Sequence, residues 1–254
     1  MIELTKVKSE NMIVVKERGN YMPRGLQKKG IARKNKMLHT AIKLFLENGY
    51  EKTTTASIAR AAGMAPSSFF AAFENKEELL LILVKTMFNN QFNSAEQLHM
   101  QADPLVLYGI ETAIQMYIVE LSEPLRELYV TAYSLPTTSE YIYGSMIEKL
   151  QYIFGRFIPE AKTKDFYELE IASAGVTRAY MAKKCSIYFS IEDKLRRYLQ
   201  CCYTLYRVPQ EMQEQAISAI MQMDLKSVAE GIIGGMIQKA EYGIDIVNDE
   251  EGGE

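Results

Sequence analysis

The chain reads as all-α, a small three-helix module near the N-terminus joined to a larger helical domain, and three observations predict this. Apolar residues recur at helical spacing almost throughout the 254 residues. Gly and Pro punctuate the chain, and the alternating β-branched runs of a sheet are missing. Charge is also divided: residues 22–76 carry ten Lys or Arg against Glu47, Glu51 and Glu74, a net +7, whereas from residue 81 onward 15 basic residues face 24 acidic ones, a net −9. A basic module on an acidic remainder implies a polyanionic partner at one end only.

The totals exclude several classes. With 48% hydrophobic and 24% charged residues, the chain has the composition of an ordinary globular protein with a sizeable core. No run approaches the roughly 18 apolar residues of a membrane span, and residues 1–8 lack the order of a secretory signal, so the cytoplasm is the expected compartment. Cys185, Cys201 and Cys202 are odd in number and without CxxC spacing, so reduced thiols are expected. His39 and His99 have no partner at catalytic or metal spacing. With no P-loop and no dinucleotide-type glycine pattern, neither an enzyme, a cofactor nor a metal is expected.

Ten helices are expected. The first spans about 31–48, with Leu38, Ala41, Leu44 and Phe45 on its inner stripe and Gly49 as its left-handed stop. The second, 55–62, follows Thr54 as N-cap, although Ser57 stands where a capping box favours Glu or Gln. Gly63 turns the chain, and Pro66 suits the first position of a third helix reaching Phe73. Asn75 opens a long helix to about 98. Further helices are expected near 105–121, 124–134, 138–158, 164–185, 190–206 and 210–241, with Pro124, Pro136, Pro159 and Pro209 at breaks between several of them.

The functional signal lies in Ile58-Ala59-Arg60-Ala61-Ala62 followed by Gly63, Met64, Ala65 and a helix beginning at Pro66. A tight Gly turn between two short amphipathic helices sets them at a steep angle and leaves the second exposed along one edge, the requirement for entering a major groove. Taken alone this pattern is common in proteins that bind no DNA. Its surroundings are more specific: Met37-Leu38, Ala41, Leu44-Phe45, Gly49-Tyr50, Thr53-Thr54, Ile58-Ala59, Ala62-Gly63-Met64, Ser68-Phe69-Phe70, Phe73, Lys76-Glu77 and Leu79. Through these residues, segment 33–80 resembles the DNA-binding domain of the TetR family of bacterial transcriptional regulators.

The resemblance implies an N-terminal helix-turn-helix DNA-binding domain at 22–78 and a helical effector-binding and dimerisation domain at 79–244. It makes 66–73 the recognition helix, with Phe69 and Phe73 packed inward. Ser68 and Lys76 fall where the family contacts phosphate, and Thr54 or Thr55 adds a further contact. Ala56, Pro66, Ser67, Phe70 and Ala71 are left to face bases. Phe70 stands where the family commonly has Tyr and Ala72 where it commonly has His, so thymine-methyl contact and DNA shape carry more of the expected specificity. Ahead of this module Arg24, Lys28, Lys29, Arg33 and Lys34 form a basic arm suited to phosphates or a minor groove.

Residues 1–21 have no convincing period and are expected to be a disordered extension, Met22-Pro23-Arg24 resembling a natural start, and 245–254 are expected to be an acidic tail. Between 88 and 157 aromatic and sulfur-bearing side chains are dense. Phe88, Phe92, Tyr108, Met116, Tyr117, Tyr129, Tyr133 and Tyr152 are candidates to line a pocket for a small, largely apolar or aromatic effector; the alternative is ordinary core. The family pairs through its last helices, and Ser227, Gly231 and Gly235 share one face for that purpose, internal packing being the other explanation. Lys194, Arg196 and Arg197 read as a solvated charge run. The function expected is a ligand-responsive repressor that binds a palindromic operator as a homodimer; the alternative is a helical sensor or interaction protein without operator binding.

Overall fold

The computed structural model describes residues 24–85 and 103–242. The secondary structure over these residues is helical. The elements are α1 (Arg24–Asn48), α2 (Thr55–Ala61), a 3-10 turn (Pro66–Ser68), α3 (described over 76–85), α4 (Pro104–Leu121), α5 (Glu123–Ala132), α6 (Pro136–Phe154), α7 (Thr163–Ala182), α8 (Ile191–Leu205), α9 (Gln210–Met221) and α10 (Leu225–Tyr242). The expected extension at 1–21, the expected tail at 245–254, Phe88, Phe92 and His99 lie outside the described residues.

Proline marks beginnings here. Pro104, Pro124 and Pro136 sit in the first turns of α4, α5 and α6, where the missing N–H has no intrahelical partner to lose. Asp103 and Ser122 cap the first two, accepting hydrogen bonds from the Leu105 and Leu125 N–H groups. α4 is apolar nearly all round and is correspondingly the central helix, with α5 to α10 packed about it. Gly109 allows the closest approach: a β-carbon there would collide with Ile220 and the Tyr203 hydroxyl, and that hydroxyl donates to the Leu105 carbonyl at 3.0 Å.

Four expectations are corrected. α1 begins at Arg24, seven residues early, so the basic residues expected to form an arm ahead of it lie within the helix. The third helix shortens to the 3-10 turn, continued by turns closed by the Ala72 and Phe73 N–H groups on the Phe69 carbonyl. The last expected helix is two helices: no Pro or Gly divides them, but Asp224 accepts from the Ser227 N–H and hydroxyl and starts α10 afresh. Lys194 is fully buried; its ammonium bonds Glu120 at 2.8 Å and the Lys183 carbonyl. Burial alone would raise the Glu120 carboxyl, but Lys194 and the Cys185 N–H outweigh it and hold the group below its usual range.

The small module is seated on the larger body through α1, which packs against α5 and α10. At the end of α1, Gly49 takes φ +82°, and the Glu127 carboxylate of α5 occupies the space of its absent β-carbon. That carboxylate accepts the Glu51 N–H at 2.5 Å. Reciprocally, Glu77 of α3 accepts the Thr137 N–H in the first turn of α6 at 3.3 Å.

The two demands on Gly49 predict a contrast. Gly49→Ala is expected to cost on the order of 1–3 kcal/mol from backbone strain, plus the displacement of Glu127. Gly144→Ala, in the exposed middle of α6 with nothing near the added methyl, is expected to stabilise by about 0.5–1 kcal/mol. Thermal unfolding of the two variants checks both signs.

Candidate nucleic-acid interface and effector cavity

The turn between α2 and the recognition segment is fixed by residue chemistry at both ends of α2. At its start the Thr54 side chain accepts the Ser57 N–H at 3.0 Å while the Ser57 hydroxyl accepts the Thr54 N–H at 2.9 Å. Ser57 thus completes the capping box in place of the Glu or Gln that the pattern favours. At its end the Met64 N–H reaches back to the Ala59 carbonyl and the Gly63 N–H to that of Arg60. This Schellman arrangement demands the left-handed conformation that Gly63 adopts at φ +74°.

Pro66 then opens the segment expected from the sequence to be the recognition helix. Phe69 and Phe73 are buried with ring centroids 5.6 Å apart, anchoring it to Ile58, Ala59 and Phe45 of the module core. Pro66, Ser67, Phe70 and Ala71 are exposed, Ser68 and Ala56 half-buried. Phe70 is 64% exposed, braced edge-on by Phe69 at 5.4 Å. The outward face therefore presents one large aromatic ring and small groups, with one hydroxyl fully outward.

Basic groups flank this face unequally. Lys29 and Arg33 are exposed on α1; Arg24 and Lys28 fall in its first turn or two, their side chains outside the described part. Thr54 is exposed and Thr55 half-buried at the start of α2. Lys76 is held: its ammonium donates to the Tyr50 carbonyl at 2.8 Å and lies 3.9 Å from the centre of the Tyr50 ring. Partial burial lowers the Lys76 ammonium, opposed by Glu51 and Glu127, and burial with Glu77 and Glu51 pushes the Tyr50 hydroxyl up to about 12. Sequence reasoning passed over Lys36, exposed on α1 with its ammonium 3.8 Å from where a β-carbon on Gly63 would stand. Its basic type and its helical phase with Arg33 were the available signals.

In the larger domain, α4, α7 and α8, with Met146 of α6 and Tyr133 at the end of α5, line a cavity of about 30 Å³. Of the tyrosines singled out from the sequence, Tyr108 and Tyr133 line it. Tyr129 and Met116 are buried in the core without lining it, Tyr117 is half-buried, and Tyr152 is 77% exposed on the outer face of α6. Tyr152 is therefore no pocket residue; its helical phase points it away from α4 and α7. The wall is more polar than the aromatic density suggested. α4 supplies Glu111, Thr112 and Gln115, and α7 supplies Glu170, Ser173 and Thr177.

Glu170 is the unusual member. It is 5% exposed, accepts from the Ser173 hydroxyl at 2.5 Å and from the Tyr206 hydroxyl at 3.4 Å, and has no cationic partner among the described residues. Glu111, by contrast, holds Lys149 at 2.6 Å. Burial pushes the Glu170 carboxyl up to about 7, against the two hydroxyl bonds that favour its ionised form.

A carboxyl raised on folding contributes stability that is full below its unfolded value of 4.5 and lost as pH rises through about 7. Glu170→Gln, neutral at every pH, is expected to melt above the parent at about pH 8 and level with it near pH 4, where the glutamate is mostly neutral in both the folded and unfolded chain. A melting gap of the same size at both pH values would show that Glu170 is not the group titrating.

Residues 37–83 match the family described as bacterial regulatory proteins, tetR family. The negative transcriptional regulator of the icaADBC biofilm operon, IcaR, from Staphylococcus epidermidis is 29% identical over 41% of this chain and 55% of its own length. The Staphylococcus aureus IcaR is 26% identical over 52% of this chain and 72% of its own. The transcriptional regulator TcmR of Streptomyces glaucescens is 40% identical over 22% of this chain and 26% of its own length. The chain thus spans about half of one of these relatives and a quarter of another. No solved structure matches it closely enough to be significant. Residues 37–83, with their Gly63 turn and their Phe69 and Phe73 anchors, thus form a domain similar to that of the tetR family of bacterial regulatory proteins.

Proposed function

We propose that the chain is a ligand-responsive repressor that binds a palindromic operator as a homodimer, with residues 22–78 on the DNA and 79–244 holding the effector and the dimer contact. The observation that carries this is the recognition segment, in which buried Phe69 and Phe73 hold exposed Pro66, Ser67, Phe70 and Ala71 on a module of net positive charge. Ser68, Lys76, Thr54 and Thr55 sit at its edges, where phosphates of a groove-bound duplex run, and Arg24, Lys28, Lys29, Arg33 and Lys36 line the approach. Ala56 and Ala71 have only methyl groups to offer bases, so thymine methyls and DNA shape supply the reading.

Release follows from the seating of the module. Tyr133 closes α5 at the cavity and Glu127 of the same helix holds the Gly49–Glu51 loop. An effector that moves α5 or α6 shifts one recognition segment relative to its mate, whose half-sites lie one DNA turn apart, roughly 34 to 36 Å. The relatives named as negative regulators support the direction of control. In α10, Gly231 and Gly235 meet nothing that an added β-carbon would touch, which leaves that face open to a second subunit. The helix packs its other side on α4 and α1.

Selection of duplexes from a random pool by the full chain tests the reading. A palindromic consensus is expected, bound by a dimer in sedimentation and weakening steeply with salt. Enrichment of nothing would point to a helical sensor without operator binding. Lys76→Ala is expected to weaken every duplex alike and to reduce the salt slope by about 1. It also lowers the melting temperature, because Lys76 holds the Tyr50 carbonyl. A lost base preference at unchanged slope would overturn its assignment to phosphate.

A further inference from the structure

We propose that the cavity between α4, α7 and α8 takes the protonated amine head of an organic cation, with Glu170 as counter-ion. This rests on reading the larger domain as effector-binding. Two carboxylates reach the cavity, Glu111 from α4 and Glu170 from α7, and no Lys, Arg or His lines it. Lys149 neutralises Glu111 through both of its oxygens, at 2.6 and 2.7 Å. Glu170 meets hydroxyl donors alone among the described residues, so its ionised form leaves one buried negative charge uncompensated. Such a group either stays neutral or acquires a cation.

The remaining lining suits the second outcome. Tyr108, Tyr133 and Tyr198 border the same space, and aromatic rings attract an ammonium through their negative faces. An anion would meet the acidic Glu170 with no cation lining the cavity to offset it, and a neutral molecule leaves Glu170 protonated and makes no use of its charge. Size narrows the class further: about 30 Å³ admits a head of one or two non-hydrogen atoms, a primary amine and not a quaternary one. Its carbon body has to displace Met146, the lining side chain best able to re-pack. Burial, which places the Glu170 carboxyl near neutrality, keeps its ionisation within reach of a bound cation.

Calorimetric titration of the full chain with n-hexylammonium, 1-hexanol and hexanoate tests the charge preference with one carbon body. Hexylammonium is expected to bind at least about tenfold tighter than hexanol, and hexanoate not to bind. Glu170→Gln is expected to abolish that preference while leaving hexanol unchanged and the helical circular dichroism intact. Should that variant misfold, Tyr133→Leu, which removes a ring face and no charge, is expected to weaken hexylammonium about threefold. Equal binding of ammonium and alcohol, binding of none of the three, or an unchanged preference in Glu170→Gln overturns the proposal. Adding the selected duplex separates this from the parent reading. If hexylammonium binds through Glu170 without lowering DNA affinity, the site stands and the effector role falls. If hexanol releases DNA as well as hexylammonium does, the effector role stands and the cation preference falls.

Discussion

The arrangement depends on a single steric and electrostatic constraint at the end of α1. Gly49 sits at φ +82° with the Glu127 carboxylate standing where its β-carbon would be. Any other residue would incur strain at the turn and push Glu127 off the Glu51 N–H. The contact fixes the direction in which the chain leaves α1, and hence the position of α2 and the recognition segment relative to α5. Because the buried core runs continuously from Phe45 and Phe69 through Leu125 to Tyr203, the apolar packing supplies cohesion while these few polar contacts set register. Hydrogen bonds suit that task, since they are lost within a few tenths of an ångström whereas apolar contact is not directional.

A second tension lies in the larger domain. α4 is the most apolar helix of the fold, yet Glu111 and Gln115 lie on it, each 8% exposed. Buried polar groups are retained where they are satisfied or where they serve a ligand. Glu111 is satisfied by Lys149, and the Tyr198 and Thr177 hydroxyls are hydrogen-bonded at 3.1 Å. Glu170 is satisfied as an acid and not as an anion. The same burial pushes the neighbouring Cys202 thiol up to about 12, which leaves it protonated and a packing residue beside Tyr108 and Tyr198.

Much of the module was legible because its determinants are local. Gly49 and Gly63 occupy positive φ, Thr54 caps α2, and Phe69 and Phe73 face inward, each following from residue type and spacing within a few positions. The third helix was overstated because Pro66 and the aromatic spacing fit an α-helix as well as the 3-10 turn that forms. Only the Phe69 carbonyl, accepting from both Ala72 and Phe73, decides between them. What escaped was non-local. Lys194 read as solvated since its partner Glu120 is 74 residues away, and the cavity acids Glu111 and Glu170 come from helices separated by two others. The tyrosine density signalled an interior region without telling Tyr133, which lines it, from Tyr152, which faces outward.

These features connect in one direction. The Ala132 carbonyl at the end of α5 accepts the Thr138 hydroxyl at 2.6 Å, coupling α5 to the start of α6. One residue earlier in α6, the Thr137 N–H bonds Glu77 of α3. Tyr133, between these helices, borders the cavity. A group entering beside Tyr133 therefore acts on a corner from which two contacts reach the small module, Glu127 to the loop after α1 and Glu77 to α3. Close-packed interiors do not deform smoothly, so a corner held by a few directional bonds is suited to moving between discrete arrangements. An occupant that prefers one of them biases the module by its differential affinity and no more. By linkage, if the module binds DNA as proposed, a bound duplex biases the cavity by the same free energy.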